Sequence, residues 1–338
     1  METDNLSGKN ILVTGASGFI GSFIVEEALE RGMNVWAAVR RSSSRQWLTD
    51  SRINFIELDF GSRKAIAEAL LGHVFHYVVH AAGVTKTLHA DDFFRINADG
   101  TANLAAALMD VQMPLRRFVF LSSLSVFGPV REQQPYCDIE PGDEPRPNTA
   151  YGRSKLEAER RLDAVEGLPC VTLRPTGVYG PREKDYFLMA KSIKGHSDFA
   201  VGYSPQDITF VYVQDVVQAV FLACEHGKPG GKYFLTDGRV YSSRTFSDLL
   251  CREMGVKRVL RIKAPLWLLR IVTWFGEWTG HITGKVTALN NDKYHILRQR
   301  NWRCDISNAR EELGYKPEYD LERGVKLTVE WYKKHGWL

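Results

Sequence analysis

The sequence predicts an α/β protein: a doubly wound parallel sheet with a smaller, discontinuous carboxy-terminal lobe. Three observations carry that expectation. An apolar strand pattern at 10–14 runs straight into a glycine-spaced turn and then a helical pattern ending near residue 29. Strand and helix patterns alternate up to about residue 175, the order that lays helices on both faces of a parallel sheet. After that the alternation loosens, and only about 206–240 fits a return to the same sheet. The expected division is 1–175 for the main domain and 176–338 for a mainly substrate-binding lobe.

The turn reads Gly15-Ala16-Ser17-Gly18-Phe19-Ile20-Gly21. Its glycines suit a tight turn, close backbone approach to a pyrophosphate, and packing of helix on strand. The helix amino terminus that follows offers free N–H groups to an anion. This Rossmann-type context makes Thr14, Gly15, Ser17, Gly18, Phe19, Ile20 and Gly21 candidate dinucleotide contacts. The second strand, 34–39, ends at Arg40-Arg41-Ser42-Ser43-Ser44, and no carboxylate occurs from Arg40 until Asp50. An acidic residue near this point usually holds a free ribose 2′-OH, whereas a guanidinium suits a 2′-phosphate. Arg40 therefore points to NADP, with NAD the less favoured cofactor. Asp59, at the end of the third strand, is placed to meet the adenine amine beside Phe60. The fourth strand ends in Ala81, Ala82 and Gly83, small enough for close passage along a nicotinamide ribose.

Ser123, Tyr151 and Lys155 carry the candidate chemistry. Tyr151 and Lys155 are four residues apart, which places both on one helix face. A free tyrosine has a pKa near ~10. A cation about 4 Å away is worth up to ~4 kcal/mol at an effective dielectric of ~20. That would lower the phenol by roughly three units, into the range of a general acid/base. Ser123 would orient the same substrate oxygen.

With these residues in view, the chain resembles the extended short-chain dehydrogenase/reductases, also called the NAD-dependent epimerase/dehydratase family. The likeness runs through 14–21, 80–83, 97–101, 121–128, 151–155, 174–182, 313–317 and Trp331-Tyr332. The resemblance implies Tyr151 as catalytic acid/base, Lys155 as its electrostatic partner and ribose anchor, and Ser123 as the carbonyl-orienting hydroxyl. It adds Asn97, Pro175 and Val178 as cofactor contacts. It also implies a homodimer paired through helices near 91–109 and 151–165. Phe127 stands where a tyrosine is common. Family members acting on nucleotide sugars often carry Asn at the position of Gly177 and Arg at that of Ile208. Their absence leans toward the branch of dihydroflavonol, 3β-hydroxysteroid and 3-ketosphinganine-type enzymes. The expected activity is thus NAD(P)-dependent interconversion of a ketone and a secondary alcohol on an apolar, lipid- or steroid-like substrate. The alternative is a nucleotide-sugar epimerase or dehydratase. A non-enzymatic dinucleotide sensor would predict a degraded Tyr/Lys pair, and this chain keeps the pair.

Composition bounds the remaining choices. The chain has 338 residues, 44% hydrophobic, enough for a large core and a second lobe. A net charge of +4 is too mild and scattered to argue for nucleic acid. Five widely spaced cysteines form no metal-binding pattern and fit a reduced, cytoplasmic setting. Met1-Glu2-Thr3-Asp4 lacks the start of a signal peptide. The proline-rich 135–147 loop precedes Tyr151, where a mobile substrate lid would sit. The apolar run 265–278 has a polar stripe of Arg270, Thr273 and Glu277 opposite Trp267, Ile271, Trp274 and Trp278. It is too short and charged to span a bilayer. Core packing, an apolar pocket wall and peripheral membrane contact all remain open for it.

Overall fold

The computed structural model describes residues 6–283 and 290–338, so the Met1–Asp4 start lies outside the described residues. The strands are β1 Asn10–Thr14, β2 Asn34–Val39, β3 Asn54–Glu57, β4 Tyr77–His80, β5 Arg117–Leu121, β6 Cys170–Pro175, β7 Gly177–Tyr179, β8 Ser197–Val201, β9 Asp207–Ile208, β10 Phe210–Tyr212, β11 Lys232–Leu235, β12 Tyr241–Ser242 and β13 Leu260–Ala264. The helices are α1 Phe19–Glu30, α2 Arg63–Leu70, α3 Ala90–Phe93, α4 Gly100–Asp110, α5 Ala150–Asp163, α6 Asp185–Lys194, α7 Val213–His226, α8 Thr245–Met254, α9 Leu266–Thr283, α10 Asn291–Arg298, α11 Ser307–Leu313 and α12 Leu321–Lys334.

Seven parallel strands form the main sheet in the order β11-β6-β5-β4-β1-β2-β3. The order reverses between β1 and β4, the switch point at which such sheets bind ligands beyond their strand carboxyl ends. Strand side chains alternate between two cores. Ile11, Val13, Val35 and Val79 pack on one face, and Leu12, Ala38, Val78 and Phe118 on the other. Burial on both faces explains why these strands are apolar throughout rather than alternating.

The smaller lobe holds three two-stranded sheets, β7 with β10, β8 with β13, and β9 with β12. The fold is therefore a Rossmann-type core with a smaller, discontinuous carboxy-terminal lobe. The 135–147 loop differs from the expected free lid. Arg131 bridges Glu140 and Asp143, Ile139 pairs with Cys304, and the Asn301 amide donates to Cys137 O at 2.9 Å. Charge pairs and the small lobe pin it. The expected polar stripe of α9 also fails: Thr273 turns inward and is buried, whereas Arg270 and Glu277 stay exposed. Leu269 and Thr273 form a narrow inner edge, the helix packs on α10, and its tryptophan face is exposed.

Candidate active site

The glycine turn closes tightly around the end of β1. Gly15 has φ +67°, and a Cβ there would lie 2.6 Å from Ala81 O. A Cβ on Gly21 would lie 2.1 Å from Gly15 O, so helix and turn touch backbone to backbone. Gly18 caps α1 without a side-chain hydrogen bond, and the first turn carries no acidic residue. Those uncapped N–H groups, with Ser17 and Ile20 partly exposed beside them, fit a dinucleotide pyrophosphate. Thr14 ties the turn to β4: its hydroxyl meets His80 Nδ1 at 2.8 Å and accepts from Ala82 N at 3.2 Å. His80 Nε2 meets Thr101 Oγ1 at 2.8 Å. Burial, with Lys155 nearby, pushes the His80 pKa down to about 3, so the imidazole is neutral at pH 7.

Tyr151 and Lys155 project from the first turns of α5. Thr149 starts the helix by accepting from Gly152 N at 2.9 Å. Ser123 follows β5, accepts from Ser125 N at 3.1 Å, and lies near enough to the Tyr151 phenol to act against its rise in pKa. Lys155 Nζ donates to Leu121 O at 2.8 Å and lies 4.7 Å from the Phe120 ring centroid. A Cβ on Gly83 would lie 3.3 Å from that ammonium. The folded sheet thus gathers Ser123, Tyr151, Lys155 and Gly83 in one place. The expected three-unit lowering of the phenol does not occur. Burial dominates and pushes Tyr151 up to about 12, against the opposing effect of Ser123. Burial likewise pulls Lys155 down to about 8. The Lys155 side chain is itself buried, so little water is left to solvate its charge.

Other expected contacts take varied positions. Pro175 ends β6, and Val178 lies in β7 against Val211 of β10. Asn97 is fully engaged: it accepts from Val84 N at 2.8 Å and donates to Val84 O and Ser154 Oγ, both at 3.0 Å. It braces the loop that follows β4 against α5. Asp59 is exposed and accepts from Gly61 N at 2.9 Å, with Phe60 packed 5.8 Å from the His80 ring. Arg40 is exposed.

Several residues of the site were invisible locally. Asp292, on α10, accepts from Ala150 N at 2.9 Å and Tyr151 N at 3.0 Å, placing a carboxylate on the amino terminus of α5. Its partner lies 141 residues away, and no sequence motif marks it. Glu159 forms a buried pair with Arg174 at 2.5 Å and accepts from Ser122. Arg174 in turn lies 5.1 Å from the Phe127 ring, which gives that phenylalanine a packing role. Glycine at 177 also has a physical counterpart. A Cβ there would meet Tyr186 Oη at 2.6 Å, so that hydroxyl occupies the space of a larger side chain.

The family model described as "NAD dependent epimerase/dehydratase family" matches residues 11–235. The chain belongs to that family. Across its length it is 28% identical to UDP-glucose 4-epimerase of Vibrio cholerae, covering 97% of this chain and 96% of the relative. It is 27% identical to 3-beta-hydroxysteroid dehydrogenase of Mycolicibacterium neoaurum, covering 95% and 91%. The fold matches WbmG of Bordetella bronchiseptica, solved with NAD and UDP, at a TM-score of 0.77 and 21% identity over 98% and 97% of the two chains. This family member is an NAD(P)-binding oxidoreductase or epimerase acting on a small organic substrate.

The NADP expectation is corrected. WbmG and the dTDP-glucose 4,6-dehydratase of Bacillus anthracis, both matched in fold, were captured with NAD. The structure supplies a physical reason. Val39 pairs with Glu57 across β2 and β3, and Glu57 Oε2 accepts from Arg41 Nε at 3.1 Å. A carboxylate from the neighbouring strand thus stands beside this loop and pairs at the surface with Arg41, one of the two arginines. The comparisons do not single out the branch acting on apolar substrates, because the nucleotide-sugar relatives match at least as well as the steroid relatives.

Proposed function

We propose that this enzyme is an NAD-dependent nucleotide-sugar epimerase or dehydratase. One observation carries the reading. Both terminal nitrogens of Arg300 are buried in the small lobe with no hydrogen-bond partner. A buried guanidinium without an acceptor is costly, and an anion brought by a ligand would relieve it. Its position answers the objection raised by Ile208. Asp207 N donates to Arg300 O at 2.9 Å, so the two backbones run side by side at that point. A guanidinium absent at 208 is supplied from the adjacent segment at 300. Positive-φ Gly202 makes room for it, since a Cβ there would lie 2.4 Å from Arg300 Nη2. Gln299 Nε2 also donates to Gly128 O at 2.9 Å, linking this segment to the loop that follows Ser123.

The catalytic roles are part of the same proposal. When bound, NAD supplies a hydride acceptor that later becomes the donor, and its oxidised form brings positive charge. Ser123 orients the reacting sugar oxygen. Tyr151 Oη takes the proton from that hydroxyl as the hydride leaves the same carbon, and returns the proton when the carbonyl is reduced. The protonated phenol favoured by burial suits the reductive half. The ionised phenol needed for oxidation draws on the Lys155 charge.

The test combines turnover with binding. Wild type should convert a UDP-sugar with no net change in NADH absorbance, while a steroid panel leaves NAD unreduced. Charge-assisted hydrogen bonds are worth ~1.5–3 kcal/mol each, so Arg300→Gln should weaken UDP binding ~10- to ~150-fold with NAD binding unchanged. Net NADH formation on a steroid, or unaltered UDP affinity in the variant, would overturn the reading.

A further inference from the structure

Half of the large apolar side chains exposed among the described residues lie on one element, α9. At helical spacing Trp267, Ile271, Trp274, Phe275, Trp278 and Ile282 share one face, opposite the buried Leu269 and Thr273. Trp267 is 65% exposed, Trp274 61% and Ile282 65%, so the helix turns its most apolar side away from the protein. Two more apolar side chains are exposed on the strand pair that leads into the helix. Phe199 of β8 and Ile262 of β13 are register partners and are both exposed. An exposed apolar helix face of this size marks an interaction site.

Charge identifies the occupant. Residues 257–300 contain nine Lys or Arg against two Asp or Glu, a net of +7 in a chain whose total is +4. The whole-chain figure conceals this segment. Lys257, Arg258, Arg261 and Lys263 lie just before the helix, and Arg270 is exposed on its flank. A second copy docked here would set this exposed basic flank against its own like charge. An anionic lipid surface instead accepts both features: tryptophan rings enter the headgroup boundary, and basic side chains meet lipid phosphates. No helix among the described residues is long and apolar enough to cross a membrane. We propose that α9 and the outer face of β8–β13 dock this enzyme in the plane of an anionic lipid surface. The helix packs on α10, which carries Asp292 to the backbone of Tyr151, so the docked face stands one helix from the reacting tyrosine. The inference does not depend on which substrate the site takes.

The full-length protein is mixed with phosphatidylcholine vesicles or with phosphatidylcholine–phosphatidylglycerol vesicles, and bound protein is sedimented. Wild type should bind the anionic vesicles in a salt-sensitive way, and lipids brominated in their acyl chains should quench its tryptophan fluorescence. Ile271→Glu with Trp274→Glu, at exposed positions, should weaken vesicle binding at least ~10-fold while NAD binding stays unchanged. Leu71→Glu, at an exposed leucine elsewhere, should bind as wild type does. The proposal is overturned if brominated lipid leaves wild-type fluorescence unquenched, a result that needs no variant. It is equally overturned if the double variant sediments like wild type, or if light scattering shows a wild-type oligomer that the double variant dissolves.

Discussion

Lys155 sits against Leu121 O and the Phe120 ring, where its charge has lost most of its water. Its folded-state pKa of about 8 lies below the ordinary lysine value of 10.5. Between those values the unfolded chain holds a proton that the folded chain has released. This group therefore makes stability rise with pH from about 8 to about 10.5, and leaves it flat below 8. A Lys155→Met variant lacks the titration. Between pH 7 and pH 10 wild type should gain about 2 kcal/mol of unfolding free energy relative to that variant, measured by urea denaturation at both pH values. A constant difference would mean that the ammonium keeps its proton in the fold. The same burial raises Tyr151, so pair spacing alone misjudged the sign of the phenol shift. A motif fixes which groups meet, whereas desolvation depends on everything packed around them.

The amino terminus of α5 shows how a distant element completes a local one. Thr149 satisfies Gly152 N, and Asp292 of α10 satisfies Ala150 N and Tyr151 N. Removing the carboxylate by Asp292→Ala should cost about 1–2 kcal/mol, the worth of a good cap combined with a charge at a helix amino terminus. It should also lower turnover, because the Tyr151 backbone loses its anchor. Asp292→Asn keeps an acceptor and should recover part of the stability. Chemical denaturation of both variants checks this, and an unchanged midpoint for the alanine variant would remove the capping role. The turn at Gly15 and the Tyr151/Lys155 face were legible in the sequence because their determinants lie within one turn or one helix. Glu57, Asp292 and Arg300 were not, because strand register and lobe packing place them. The same reason hid the exposed face of α9: periodicity reveals an apolar side, and only the neighbouring elements decide whether it is covered.

At the scale of the whole molecule the two lobes are joined by many separate contacts. Asp292 reaches α5, Gln299 reaches Gly128, Asn301 reaches the 130–137 backbone, and Tyr315 Oη donates to Thr236 O at 3.1 Å beyond β11. Neither lobe can open far without exposing several buried polar groups at once, each costing ~1–3 kcal/mol when left unpaired. Urea unfolding should therefore be a single transition, with tryptophan fluorescence and far-ultraviolet circular dichroism giving the same midpoint. Ligands supply the sharper discrimination. NAD at one hundred times its dissociation constant should stabilise the fold by about 2.7 kcal/mol, and UDP at the same ratio by the same amount. If the lobes unfold together, each ligand moves the one shared midpoint, even though on the proposed reading NAD would contact mainly the Rossmann core and UDP the small lobe. Two transitions, with NAD shifting one and UDP the other, would show that the joining contacts do not couple the lobes. The carboxylate of Asp292 would then cap α5 without transmitting the state of the substrate lobe to Tyr151.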